Sequence, residues 1–186
     1  MGIEAAREYT TRPTTLAVRT STERPGVLAR VTIPASARRA VRQTVLTTIV
    51  FAALDAVWLG VAMNGFYKSE LGSLARLSGS NFAPVWWAAC VVYALLVVGL
   101  VVFVLPRATG QPARALGFGA LFGGVAYGTY DFTAYAVLAG WSLRMTLVDL
   151  WWGAVICGLS AAVVTVVESR FDSVQASHPA PRQPLI

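Results

Sequence analysis

Long apolar stretches alternate with short polar ones along most of this chain. Four of them reach the roughly 20 residues that an α-helix needs to cross the hydrocarbon of a bilayer. They cover residues 45–66, 85–105, 115–139 and 146–167. A helix of a soluble bundle would carry charged residues along one face, and none of these stretches does. The pattern therefore predicts an all-α integral membrane protein, a four-transmembrane-helix bundle over residues 44–168.

The two ends of the chain differ in composition from this apolar domain. Residues 1–43 are rich in Arg, Thr and Pro, and they predict a disordered basic tail because they cannot bury enough apolar surface to fold. Residues 169–186 are polar, contain three prolines near the end of the chain, and predict a second disordered tail. A translation start near Val31 or Val41 would shorten the first tail.

The placement of the arginines predicts the orientation. Eight of the 15 basic residues precede the first apolar stretch, and Arg38, Arg39 and Arg42 lie next to it. Basic flanks of this kind stay in the cytoplasm, so we expect both tails there. The net charge of +6 then indicates attraction to anionic lipid of the bilayer. Nucleic acid is not an expected partner, because the bases are spread out and residues 1–40 contain one aromatic, Tyr9.

Three carboxylates, Asp55, Asp131 and Asp149, interrupt the apolar stretches. A charge at the bilayer centre costs at least about 2.5 kcal/mol, so such acids usually face a protein interior and often carry function. Trp58 and Trp152 each follow an acid by three residues, which puts an indole beside a carboxylate on one helix face. With both termini inside, most of this chemistry is expected in the outer half of the bilayer.

The glycines of the third stretch predict a packing stripe. Gly117, Gly124 and Gly128 share a face with Asp131, and glycine lets helix backbones approach closely in lipid. We therefore expect Asp131 to face a neighbouring helix. The short connection that follows makes the third and fourth helices an antiparallel hairpin. Asp131 then lies at the depth of Trp152, whose indole N–H could donate to its carboxyl.

The predicted polar cluster combines the acids with nearby indoles and hydroxyls. Its members are Asp55, Trp58, Tyr127, Tyr130, Asp131, Thr133, Asp149 and Trp152. The one histidine, His178, lies in the polar tail, and both cysteines lie within apolar stretches. No nucleophilic triad can be assembled from these residues, and the sequence predicts neither a metal site nor a cofactor.

Three motifs occur in order along the apolar stretches. They are Leu54-Asp55-x-x-Trp58-Leu59, then Tyr127-Gly128-Thr129-Tyr130-Asp131-Phe132-Thr133 with Gly140-Trp141, and finally Val148-Asp149-x-x-Trp152-Gly153. Over residues 44–167 the chain resembles the domain-of-unknown-function family 2177 of bacterial membrane proteins. That family usually has Asn after the last Thr of the second motif, where this chain has Ala134. The resemblance implies a four-helix protein of the bacterial inner (plasma) membrane, and it implies no established activity.

Three hypotheses about function remain. In the first, the carboxylates are interhelical hydrogen-bonding groups of a structural or accessory protein, each bond contributing about 0.6–2 kcal/mol. In the second, they form a proton- or cation-linked site that moves a small solute or ion. In the third, a membrane-embedded enzyme uses paired acids on a lipid or isoprenoid substrate. The sequence favours the first hypothesis, with transport as the next alternative and an enzyme as the least favoured. A homodimer or an accessory membrane partner would enlarge the small interior that four helices enclose.

The predicted orientation can be tested by cysteine labelling. Ser78→Cys, in a background with Cys90 and Cys157 replaced by Ala, should react with a membrane-impermeant maleimide added to the outer face of intact cells. Residues 68–84 are expected outside, because the arginine-rich flank keeps the amino terminus in the cytoplasm. Labelling from the cytoplasmic face alone would reverse the orientation.

Overall fold

The computed structural model describes residues 35–177. The predicted disorder of residues 1–34 and 178–186 lies outside the described residues. Within them, six α-helices and one short hairpin follow one another. The helices are α1 (Ala35–Val57), α2 (Asn64–Leu71), α3 (Trp86–Gly99), α4 (Leu105–Ala108), α5 (Pro112–Val137) and α6 (Leu143–Ser177). A π-helical turn at Trp58–Ala62 extends α1, and another at Leu100–Val104 joins α3 to α4.

The segment between α1 and α3 contains the only strands among the described residues. After α2 comes a single 3-10 turn, Gly72–Leu74, and then the antiparallel strands β1 (Leu77–Ser78) and β2 (Asn81–Phe82). The remaining elements form four helical rods that surround one apolar core. Phe51, Leu100 and Ile156 lie at the centre of this core and are fully buried.

The four rods correspond to the four predicted helices, but two of the predicted boundaries are wrong. The first rod begins at Ala35 instead of near residue 45, and the last continues to Ser177 instead of ending near residue 167. Residues 35–43 and 169–177, which the sequence analysis assigned to disordered tails, are therefore helical. The polar residues of these segments have the composition of a disordered tail. In the structure, charged residues from the two segments pair with each other across the two helices.

Ion pairs join the start of α1 to the end of α6. Arg42 holds both carboxylate oxygens of Glu168, through its Nε at 2.6 Å and its Nη2 at 2.8 Å. Arg39 Nη2 donates to Asp172 Oδ2 over 2.8 Å. A guanidinium that grips a carboxylate with two parallel N–H groups is among the stronger charged pairs, and Glu168 is only 4% exposed. These contacts explain why both helices extend beyond their apolar stretches.

Three helical rods are long and apolar enough to cross a membrane on length and composition, among the residues that the structure describes. They are Ser36–Ala62, Trp86–Ala108 and Leu143–Val174. The chain is thus an all-α membrane protein in its described part. At 26 residues α5 has the length of a span, but its glycines, tyrosines and Asp131 make it less apolar, so the number four stays a prediction.

Helices α5 and α6 pack as a close antiparallel hairpin. A Cβ added to Gly123 would lie 1.9 Å from the carbonyl oxygen of Gly153, and one added to Gly119 would lie 2.6 Å from that of Cys157. The chain turns between the two helices at Gly140, whose φ of +88° belongs to the left-handed region that glycine tolerates. Backbone contact at glycine therefore sets the distance between these helices.

The predicted glycine stripe is only partly correct. A Cβ on Gly117 would meet nothing within 4 Å, and one on Gly124 would make ordinary contact with Ala154. Gly128 does pack, since a Cβ there would lie 3.1 Å from Leu150 Cδ1. Gly119 and Gly123 make the closest contacts instead. The spacing of the glycines indicates that another helix can pack closely against this one. It does not indicate which face of the helix makes the contact.

A pair of alanine substitutions tests this packing. Gly123→Ala should destabilise the protein by about 1–3 kcal/mol, because the added methyl group collides with backbone that cannot move aside easily. Gly117→Ala should leave stability unchanged or raise it by up to about 1 kcal/mol, because its Cβ would occupy open space and alanine restricts the unfolded chain more than glycine does. The unfolding temperature in detergent, followed by circular dichroism, measures both. Equal losses in the two variants would contradict the observed rotation of α5.

Candidate functional site

A cavity of about 420 Å³ lies among α1, α3, α5 and α6. Asp55, Asp131 and Asp149 all line it, so the three predicted acids converge on one space. They come from three different helices, α1, α5 and α6 respectively. Asp55 and Asp131, which the sequence analysis expected in one polar cluster, thus share the wall of this cavity.

The cavity exists because α3 and α5 are close at one end only. Near Gly99 they touch, since a Cβ there would lie 2.2 Å from the ring of Phe122. From that point α5 packs against Leu100–Val104 and α4. Towards the Trp86 end the space between the two helices becomes the cavity. Val92 and Tyr130 border it and are 53% and 64% exposed, so the cavity opens sideways on the surface of the bundle.

Asp55 is held by donors from two other helices. Trp152 Nε1 of α6 donates to Asp55 Oδ1 over 3.0 Å, and the hydroxyl of Tyr93 on α3 donates to Oδ2. The carboxyl is 5% exposed. Because both oxygens have a donor, this buried group does not bear the cost of an unmade hydrogen bond. Asp55 therefore links α1, α3 and α6.

Asp149 is the acceptor at the end of a short hydrogen-bonded chain. Trp58 Nε1 donates to the Tyr67 hydroxyl over 3.1 Å, and that hydroxyl donates to Asp149 Oδ1. Burial first, and then the hydrogen bond to Asp149, raises the pKa of Tyr67 above its ordinary value, so the phenol remains a donor at neutral pH. The indole of Trp58 also stacks on that of Trp152, with ring centroids 4.2 Å apart. This chain attaches α2 to α6.

Asp131 has no such partner. Its side chain is 1% exposed, and neither carboxyl oxygen meets a hydrogen-bond donor among the described residues. The carboxyl of Asp149, on the neighbouring helix α6, lines the same cavity. Two ionised carboxyls at such a site repel each other, and a proton or a positive charge between them removes the repulsion. Asp131 and Asp149 together thus form an acceptor-rich position on the cavity wall.

Most of the predicted cluster lies at the cavity, with one exception and one changed partner. Tyr127, Tyr130 and Trp152 line the cavity, and Trp58 lies behind it against Trp152. Thr133 is exposed and lies outside the cavity lining. The predicted bond from Trp152 to Asp131 is wrong, because the indole N–H donates to Asp55. Counting residues along the helices predicted the depth of the indole correctly. Depth alone could not show whether the indole donates to Asp131 or to Asp55.

Two tyrosines of the site were missed by sequence reasoning. Tyr67 comes directly after the first apolar stretch, and it is 8% exposed and bonded to Asp149. Tyr93 carries the only hydroxyl in residues 85–105, and this isolation in an apolar stretch was the available signal. A lone hydroxyl in a transmembrane helix tends to bond across to a neighbouring helix.

The sequence also matches a known family. The family described as "Predicted membrane protein (DUF2177)" matches residues 40–166, which include all three acids and both of their neighbouring indoles. The resemblance inferred from the three motifs is therefore confirmed. No curated protein and no solved structure matches the chain.

Asparagine substitutions separate the roles of two of these acids. Asp55→Asn leaves one acceptor oxygen for two donors and should destabilise the protein by about 1–3 kcal/mol. Asp131→Asn breaks no hydrogen bond, so we expect an unfolding temperature equal to or above that of the wild type. Thermal unfolding of both variants in the same detergent gives the comparison. A loss at Asp131 as large as that at Asp55 would show that Asp131 has a structural bond.

Proposed function

We propose that this chain, which belongs to the DUF2177 family of predicted membrane proteins, binds a small solute in the cavity between its three intramembrane acids and moves it in a step linked to a proton or a cation. The observation that carries the proposal is the state of Asp131. It is a fully buried carboxyl of a cavity lining that also includes Asp149, and it meets no hydrogen-bond donor among the described residues.

A purely structural role accounts poorly for this residue. A buried acceptor without a donor costs about 1–3 kcal/mol, and an ionised one costs more. A hydrogen-bonding group that only joins helices would reach a donor on the neighbouring helix, as Asp55 does. Asp131 instead belongs to the wall of a cavity large enough for a ligand, with both carboxyl oxygens just below the accessible surface of that wall. A carboxyl that has no hydrogen-bond donor in the free protein is suited to bind a ligand that supplies one.

A structural or accessory role is the second candidate, and Asp55 supports it. Its two oxygens bind donors from α3 and α6, which is how a polar residue stabilises a helix bundle in lipid. The two candidates assign different work to different acids. Asp55 holds the helices in position, whereas Asp131 and Asp149 receive the solute or the proton.

We also propose that α5 completes a four-helix transmembrane bundle in a bacterial inner membrane, with both termini in the cytoplasm. Close contacts with α6 extend along α5 from Gly119 to Gly128, so a membrane that contains α6 also surrounds α5. The ion pairs from Arg39 and Arg42 place the start of α1 beside the end of α6. This arrangement supports two termini on the same side, and the adjoining arginines support the cytoplasm as that side.

Uptake into proteoliposomes tests the proposed function. We expect the full-length wild-type chain to accumulate at least one of four radiolabelled solutes, alanine, lactate, glucose or benzylamine, when a proton or sodium gradient is imposed. Asp131→Asn should abolish this accumulation because an amide cannot exchange a proton or offer a negative charge. Thr133→Val, an exposed position outside the cavity, should behave as the wild type does.

The Asp131→Asn vesicles also correct for passive permeation, which is the same in both preparations. Equal uptake of every solute by wild-type and Asp131→Asn vesicles would contradict the proposal. The structural role would then be the better account of the acids.

A further inference from the structure

The carboxyl oxygens in the cavity outnumber the donors that reach them. Asp55 has two donors, the Trp152 indole and the Tyr93 hydroxyl, and Asp149 has one, the Tyr67 hydroxyl. Asp131 has none among the described residues. The residues that line the cavity include no lysine, arginine or histidine. A ligand that fits this wall therefore has to bring both N–H donors and positive charge.

We propose that the solute is an organic amine, bound as its ammonium ion between Asp131 and Asp149 with its carbon body against the aromatic wall of the cavity; this inference rests on the proposed function. An ammonium group carries three N–H donors and one positive charge. It supplies the donors that both Asp131 oxygens lack and separates the two neighbouring carboxyls with a charge of opposite sign.

The remaining walls suit the carbon body of such a ligand. Tyr127, Tyr130 and Trp152 present rings to the cavity, and Val92 and Leu96 present apolar side chains. Aromatic faces attract cations by about 0.5–2 kcal/mol, and the attraction is larger where water is excluded. The volume of about 420 Å³ falls in the range of roughly 300–1,000 Å³ that is typical for pockets binding organic molecules. A single inorganic ion would leave most of this space unfilled.

The position of the acids also explains how binding is linked to a proton. A proton held between Asp131 and Asp149 cancels one of their two charges. An amine that enters as the neutral base accepts this proton and becomes the ammonium ion that the two carboxylates hold. An amine that enters already charged displaces the proton, which leaves to water. The charge in the site balances along both routes, and the sideways opening beside Val92 and Tyr130 gives an apolar path for the neutral base.

Matched probes test the ligand class in the full-length protein in detergent. Benzylamine and hexylamine are compared with benzyl alcohol and hexanol, which have the same carbon bodies but no charge at neutral pH. Benzyltrimethylammonium keeps the charge and lacks N–H donors. Dissociation constants are measured from the quenching of tryptophan fluorescence and from the rise in unfolding temperature.

We expect both amines to bind the wild type at least about tenfold more tightly than the alcohol of the same body. Asp131→Asn should weaken amine binding by about tenfold or more and leave the alcohols unchanged, and benzyltrimethylammonium should bind more weakly than benzylamine. Asp172→Asn is the matched control, because Asp172 pairs with Arg39 far from the cavity. It should keep the amine affinity of the wild type even if it lowers the unfolding temperature.

The outcomes that overturn the inference are separable from failure of the proposed function. Amines that bind no better than alcohols, or that bind equally to Asp131→Asn, overturn the ligand class. If lactate or glucose, which carry no ammonium group, then still shows Asp131-dependent uptake in proteoliposomes, the site moves a solute of another class and the proposed function stands. If no solute shows such uptake, both proposals fail together.

Discussion

A carboxyl group among apolar helices needs a donor, and this requirement organises one end of the bundle. Asp55 satisfies it by joining α1 to α3 and α6 through Tyr93 and Trp152. Asp149 satisfies it through Tyr67, which draws the short helix α2 onto α6. The indoles that donate to this network also stack on each other. Asp55 and Asp149 therefore replace the hydrogen bonds they lost from water with bonds between helices, and these contacts shape the cavity walls.

At Asp131, the packing of the helix backbones prevents the carboxyl from reaching a hydrogen-bond donor. The close approach of α5 to α6 at Gly119 and Gly123 leaves little freedom for α5 to rotate or slide. The same rotation places Asp131 on the cavity wall that it shares with Asp149, and away from any donor among the described residues. The close backbone packing of α5 therefore keeps Asp131 without a donor. A more flexible helix would rotate until the carboxyl met one. Groups held in this way require little reorganisation when a ligand arrives.

The two ends of the bundle differ in how firmly the helices are joined. At the Arg39 end, ion pairs connect α1 to α6. At the cavity end, Asp55 and the Trp58–Trp152 stack connect the same two helices again. The Trp86 end of α3 is attached to Asp55 through Tyr93 but leaves a gap towards α5. The π-helical turn at Leu100–Val104 lies where α3 leaves α5, and such turns are frequent at functional sites in helices. Any opening of the cavity is therefore expected to involve α3.

The sequence by itself determined the membrane class, the approximate helices, the family and the three acids with their neighbouring indoles. These features depend on composition, on hydrophobic length and on spacing within one helix, all of which are local. Only the tertiary structure decided that Trp152 serves Asp55, that Tyr67 and Tyr93 belong to the site, and that Gly117 and Thr133 face outwards. It also decided that residues 35–43 and 169–177 are helical, because their charges pair across two helices distant in sequence. Each of these outcomes depends on how a helix is rotated about its axis, which the packing of all the helices sets together.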